Sequence, residues 1–192
     1  MRLAPIPPGQ LSPEQRSLDQ QLRAGIAEHL KGFVSQRADG ALIGPFIPML
    51  HFPEFGAPSW EMITALARGS TLPKPAHEVA ILVTGARFRS RYELYAHEKV
   101  AERAGLSAAK IATIVAGQRP GDLTPEEAVA YDLASVLTGG GQLPEATFRA
   151  AVAAFGERGV AEIVFLIGSY CMVSVMLNAY DVSVPGREEG LG

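Results

Sequence analysis

The sequence predicts an all-α protein folded as a single-domain helical bundle. Three observations carry that expectation. Apolar residues recur at helical spacing in one segment after another, helix starts are marked by Ser or Thr followed by proline and an acid, and no segment alternates apolar and polar residues between two turn signals.

In chain order, Ser12-Pro13-Glu14 offers an N-cap, a first-turn proline and a first-turn acid. The helix they open runs through Leu18, Leu22, Ile26 and Leu30 and is expected to stop at Gly32. Residues 32–48 are dense in glycine and turn formers, and GPFIPMLHFPEF reads as a pocket-side loop or short helical turn. Residues 60–68 return to helical spacing. After the break at Pro73-Lys74-Pro75, the segment from Ala76 to Gly105 spells two helices meeting near residues 85–90, which puts Glu78 and His97 on adjacent helices. Gly105-Leu106-Ser107 restarts the chain into a short helix to Ala116. Thr124-Pro125-Glu126-Glu127 opens another with a capping-box acid, and the three glycines at 139–141 stop it. Pro144 begins a helix to Phe155, and residues 156–159 separate it from a long apolar helix.

Residues 163–180 carry no charge and approach the length of about 20 residues that spans a bilayer. Gly168, Ser169, Ser174 and Asn178 dilute the run, Glu162 and Asp181 bound it, and neither end has a Lys/Arg bias. A core or subunit-interface helix is therefore expected, not a membrane span. A charge-free helix of that length in so small a chain also predicts a homo-oligomer.

With 192 residues, 47% of them apolar, the chain can bury its own core, and a net charge of -3 leaves no basic footprint for nucleic acid. The N-terminus lacks the apolar run of a secretory signal, so a cytoplasmic location is expected. The only cysteine, Cys171, lies in an apolar run and reads as a small buried hydrophobe; neither a disulfide nor a dithiol cycle can form within one chain.

The informative cluster is Tyr92-Glu93-Leu94-Tyr95-Ala96-His97. Glu93 and His97, at i and i+4 of one helix, are close enough for the carboxylate to orient and charge-stabilise the imidazole; the alternative is a solvated ion pair worth about 0.3–0.5 kcal/mol. Arg87, Arg89 and Arg91 offer either a bidentate clamp for a substrate carboxylate or a solvated basic turn. Tyr92 and Tyr95 either donate hydrogen bonds into a pocket or pack with their hydroxyls at its rim. His51 either touches substrate or is a hydrogen-bonded histidine packed at a loop. Tyr170 and Asn178, eight positions apart, share a helix face and are the polar points of the last helix expected to reach a site. Glu78, Glu93 and His97 suit iron or zinc by residue type, but Leu82 stands where a zinc motif begun by His77-Glu78 needs its second histidine. No metal and no other cofactor is expected.

The order Glu78, eleven residues, Ser90, two residues, Glu93, three residues, His97 resembles the motif of the alkyl hydroperoxidase D superfamily, which has cysteines at the two middle positions. LSPEQ, GPFIPMLHFPEF, YELYAHE with AERAGLS, GERGVAEIVFLIGSY and LNAYDVSVP together resemble the long carboxymuconolactone decarboxylase-like proteins across nearly the whole chain. The resemblance implies one globular unit, with a helical core of residues 73–192 preceded by a helical arm and pocket loop of residues 1–72. It implies no peroxidase activity, because a serine and a carboxylate form no disulfide.

What it implies instead is a cofactor-independent acid–base enzyme acting on a small unsaturated di- or tricarboxylate or lactone acid from aromatic-ring breakdown. Decarboxylation is the first expectation, isomerisation or tautomerisation of a muconate-like acid the second, and a non-catalytic binding subunit the third. His97 would return a proton to carbon, Glu93 would orient the ring and raise its pKa, and Glu78 would approach from the other helix. Ser90, at the first sulfur position, would line the substrate site.

Overall fold

The fold is assembled from helix starts that the local sequence specifies. Ser12 Oγ accepts from Gln15 N while the Gln15 side chain accepts from Ser12 N, a reciprocal cap that satisfies two otherwise orphaned donors. Thr124 and Glu127 repeat the device, and Glu127 also takes a 2.8 Å bond from Lys110 Nζ that ties two neighbouring helices together. The computed structural model describes residues 1–186. Among them are eight α-helices: α1 (Pro13–His29), α2 (Phe46–His51), α3 (Pro53–Gly69), α4 (Lys74–Phe88), α5 (Arg91–Arg103), α6 (Ala108–Val115), α7 (Pro125–Thr138) and α8 (Glu145–Ala179). The one strand-like pairing among the described residues is a single bridge between Gln36 and Leu42, so the all-α expectation holds.

Two boundaries differ from expectation. The first helix ends at His29, and Gly32, at φ 110°, turns the chain only afterwards. Helix α3 starts at Pro53, not Trp60, and α2 precedes it, because Pro48 and Pro53 occupy first turns where the missing N–H is not needed. The expected break after Phe155 is present: Gly156, with a non-helical φ of 69° and ψ of 172°, divides α8 into two helical halves that meet at a kink.

Helix α4 is the centre of the bundle, packed by α5, α6, α7 and α8. Val79, Ile81 and Leu82 on α4 meet Leu133 of α7 and Ile163 and Leu166 of α8 in one apolar cluster. Each such side chain contributes about 1.5–3 kcal/mol by leaving water. Helices α1 to α3 enclose a second cluster around Leu22, Phe46 and Trp60. The Trp60 ring occupies the place a Cβ on Gly25 would take, 2.5 Å from Cζ2, so α1 and α3 meet only because residue 25 is glycine. A third cluster, Ile47, Tyr92, Ala96, Val173 and Leu177, joins this arm to α5 and α8.

Helix α8 is long and apolar enough to cross a membrane, but half of its most apolar window is buried in the protein. Val164, Phe165 and Val175 leave exposed apolar side chains on α8, with Phe165 sharing a groove with Met62 of α3.

Candidate active site

His97, on α5, faces α4, and its Nδ1 lies 2.9 Å from Glu78 Oε2 in a buried contact. The other Glu78 oxygen, Oε1, lies 3.2 Å from His77 Nδ1. One carboxylate thus serves two imidazoles. Burial alone would raise the Glu78 pKa, but the charges and hydrogen bonds of His97 and His77 outweigh it and hold it down to about 2. Tyr170 of α8 completes the enclosure, its ring edge-on to His97 with centroids 4.9 Å apart. Burial, and then the charges of Glu78 and Glu93, push the Tyr170 hydroxyl well above its usual range, so it is a hydrogen-bond donor at neutral pH.

The i, i+4 pairing of Glu93 with His97 is not made. Glu93 Oε2 accepts a 2.7 Å bond from Ser174 Oγ of α8, and Oε1 has no partner. The carboxyl is accommodated beside Gly85 of α4, where a Cβ would come within 3.0 Å of Oε1. Burial pushes Glu93 up to about 8 against the opposing Ser174 bond, so it is a neutral acid at pH 7. Helix packing has separated the two carboxyls: Glu78 is ionised on the ring, and Glu93 is protonated in an apolar wall.

Two cavities meet at His97 and Tyr170. The outer one, of about 340 Å³, is lined by His77, Glu78 and His97, by His29 at the end of α1 and Lys31 after it, and by Lys74 and Arg103. The inner one, about 40 Å³, is walled by apolar residues such as Phe33, Phe46, Met49 and Val173, with Glu93 among them. Leu30, Trp60 and Ile63 of the arm wall both chambers, so residues before Pro73 build much of the pocket. Lys31, Lys74 and Arg103 take part in no ion pair among the described residues.

The remaining sequence-expected residues divide. Tyr92 lines the inner chamber, but its hydroxyl donates to Val34 O at 3.0 Å, and Tyr95 Oη accepts from Val34 N at 3.2 Å, so both hydroxyls pin the loop after α1. Ser90 is fully buried with its Oγ unpartnered and lines neither chamber. Arg91 turns outward to Asp181 Oδ1 at 3.0 Å, while Arg87 and Arg89 line a separate groove with α6 and α7; none of the three reaches His97. The helix junction points them away from the α4–α5 interface. His51 Nε2 is bonded to Ala4 O at 2.9 Å, and Asn178 Nδ2 donates to Phe88 O at 2.7 Å, satisfying the end of α4. Both are structural contacts outside the cavity. No metal-ligating cluster of His, Cys, Asp or Glu occurs among the described residues.

Sequence reasoning missed His77, His29, Ser174 and the three cations. Ser174 was visible as a polar residue in an apolar run, whereas Gly85, expected at the helix junction, lies inside α4, a placement that costs about 1 kcal/mol without a packing reason. Nothing in the spacing singled out the cations, because their side chains converge only after the arm folds back.

Together these features define a helical bundle in which a buried Glu–His pair lines a cavity. Its fold is the alkyl hydroperoxidase D-like one. The debrominase Bmp8, in a cysteine-to-alanine form bound to 2,3,4-tribromopyrrole, superposes with TM-score 0.73 at 12% identity over 98% of this chain and 94% of that one. An uncharacterised peroxidase-related protein from Ralstonia eutropha JMP134, described as an alkylhydroperoxidase AhpD core, gives 0.73 at 16% identity over 97% and 93%. A protein of unknown function from Agrobacterium tumefaciens, proposed as an AhpD-type antioxidant-defence protein, gives 0.64 at 14% identity over 72% and 95%. No protein-family profile and no curated protein sequence matches the chain.

Proposed function

We propose that this protein is a cofactor-independent acid–base enzyme acting on a small unsaturated carboxylic or lactone acid, first as a carboxymuconolactone decarboxylase-type lyase. The observation that carries the reading is His97, held by an ionised Glu78 on one nitrogen and facing an open cavity with the rest of its ring. In the lyase reaction the carbon–carboxylate bond breaks, CO₂ leaves, and the electron pair passes into the lactone carbonyl as a dienolate. A proton from the His97 imidazolium then forms the new C–H bond, and solvent restores that proton. Tyr170, whose ring packs against His97 where the two chambers meet, is the donor we assign to the developing oxyanion.

Lys31, Lys74 and Arg103 take the carboxylate-binding role expected of Arg87 and Arg91, and the apolar chamber receives the uncharged end of the substrate. The likeness to a debrominase holding a tribromopyrrole supports a small, flat substrate. Sulfur chemistry is disfavoured here, because the sole cysteine lies on α8 with its thiol pushed up by burial and then by Glu93.

Isomerisation is the second reading, favoured by Glu93: a neutral acid and a histidine base on one chamber can move a proton between two carbons without loss of mass. The exposed apolar side chains of α8 support assembly as a homo-oligomer, and a cytoplasmic setting accords with these roles. The deciding experiment incubates the protein with aromatic ring-cleavage acids and follows ultraviolet absorbance and mass together. Loss of CO₂ identifies the lyase, and a spectral shift at constant mass the isomerase. His97→Gln should lower either rate by about 10²–10⁴. Turnover unchanged by His97→Gln would defeat both readings.

A further inference from the structure

We infer that His77 is a second proton-carrying residue of the site, coupled to His97 through the single Glu78 carboxylate that both rings engage. Glu78 Oε1 and Oε2 meet His77 Nδ1 at 3.2 Å and His97 Nδ1 at 2.9 Å. A carboxylate in those two contacts fixes an N–H on each Nδ1, which leaves each ring to titrate at Nε2. Both residues line the outer chamber, and His77 does not reach the inner one. Its side chain is 14% exposed against 7% for His97, which makes His77 the ring nearer to solvent.

One negative charge between two imidazoles compensates one imidazolium at a time. Protonation of either ring therefore opposes protonation of the other. When His97 Nε2 gives its proton to substrate carbon, Glu78 is left uncompensated, and His77 Nε2 takes a proton from solvent in the outer chamber. Later exchange through cavity water returns His97 to its charged form, so each turnover consumes one solvent proton and leaves the enzyme unchanged. The other titratable groups facing this chamber are Glu28 and His29 of α1, Lys31 after it, Lys74 of α4, Arg103 of α5 and Tyr170 of α8. None of them bonds to Glu78.

The role of His77 in turnover rests on the acid–base reading above; the coupling does not, and it is measured without substrate. Histidine Cε1–H resonances of the full chain, followed by NMR from pH 4 to 10, should show His97 titrating in two steps at least about one pH unit apart. His77→Asn keeps an N–H toward Glu78 but cannot titrate, and it should collapse the His97 curve to one step. A purely structural His77 would leave that curve biphasic, or monophasic in both proteins, and either result overturns the inference. Glu78→Gln should move the midpoints of both rings to lower pH; midpoints that stay in place overturn it as well. If the two-step curve appears and no acid is turned over, the coupling stands and the enzyme reading falls. If His97→Gln abolishes turnover while His77→Asn changes neither its rate nor its pH profile, the enzyme reading stands and the role of His77 falls.

Discussion

Glu93 Oε2 accepts a 2.7 Å hydrogen bond from Ser174 Oγ, across the interface of α5 and α8, and this is its carboxyl's sole side-chain partner among the described residues. The acid is therefore buried with one oxygen unsatisfied, beside a histidine whose own partner is a different carboxylate.

That placement sets a pH dependence of stability. Glu93 has its pKa raised from 4.5 to about 8, so the native state holds this proton more tightly than the unfolded chain. Its contribution is complete below pH 4.5 and is lost as pH rises to 8, at up to about 1.4 kcal/mol per pH unit. Glu78, lowered to about 2, acts oppositely: its contribution is present above pH 4.5 and is lost as pH falls toward 2. Denaturant unfolding between pH 4.5 and 9 should show the wild-type protein weakening more steeply with pH than Glu93→Gln. Parallel slopes for the two proteins would refute the assignment of Glu93 as a buried neutral acid.

The three cations at the outer chamber predict a binding defect without a chemical one. Each is exposed, so each is worth no more than about 1 kcal/mol to an anion. Lys74→Glu combined with Arg103→Glu should raise KM for an anionic acid about tenfold with little change in kcat, the mark of binding lost equally from ground and transition states. Arg87→Glu, in the other groove, should leave both constants unchanged. Steady-state kinetics on the three proteins at low salt distinguishes the two surfaces.

The contrast between those arginines and lysines shows what the chain made legible. Helix starts depend on residues within one turn, so Ser12 and Thr124 announced α1 and α7, and the spacing from Glu78 to His97 placed the acid and the base on neighbouring helices. Partner choice within the site depended on helix rotation. Glu93 is one turn from His97 in sequence, yet Ser174, 81 positions away, holds it instead. Prolines misled where their meaning is positional: Pro48 and Pro53 looked like loop punctuation and are first-turn residues. The arginines were expected at the site because they precede the motif, but the α4–α5 junction turns them toward α6, α7 and the C-terminal segment.

That junction carries a strained residue. Arg89 has φ 52° and ψ 38°, a left-handed conformation that costs a side-chain-bearing residue about 1–2 kcal/mol, and it ends α4 where glycine is usual. Arg89→Gly removes the strain but gives the unfolded chain about 0.4–1 kcal/mol of extra freedom. The net expectation is a gain of roughly 0.5 kcal/mol, and Arg89→Val, branched at Cβ, should lose at least about 1 kcal/mol. Unfolding curves that ranked valine above glycine would show that the conformation is not costly.

Gly44 tests how the arm is fastened to α5. Its φ is 77°, and a Cβ there would fall 2.3 Å from Tyr92 Cε1, too close for any rotamer adjustment of a fully buried ring. Tyr92 in turn donates to Val34 O, and the same loop carries Lys31 and Phe33 to the two chambers. Gly44→Ala should lose about 2–4 kcal/mol, the sum of overpacking and left-handed strain. Tyr92→Phe keeps the ring and loses only the bond, leaving Val34 O to find water, at a cost of about 1–2 kcal/mol. Because both changes act on one ring, the double variant should fall short of their sum by at least about 0.5 kcal/mol. Full additivity in denaturant unfolding would mean that Gly44 and Tyr92 hold the loop independently, and that the arm's position over His97 does not depend on their contact.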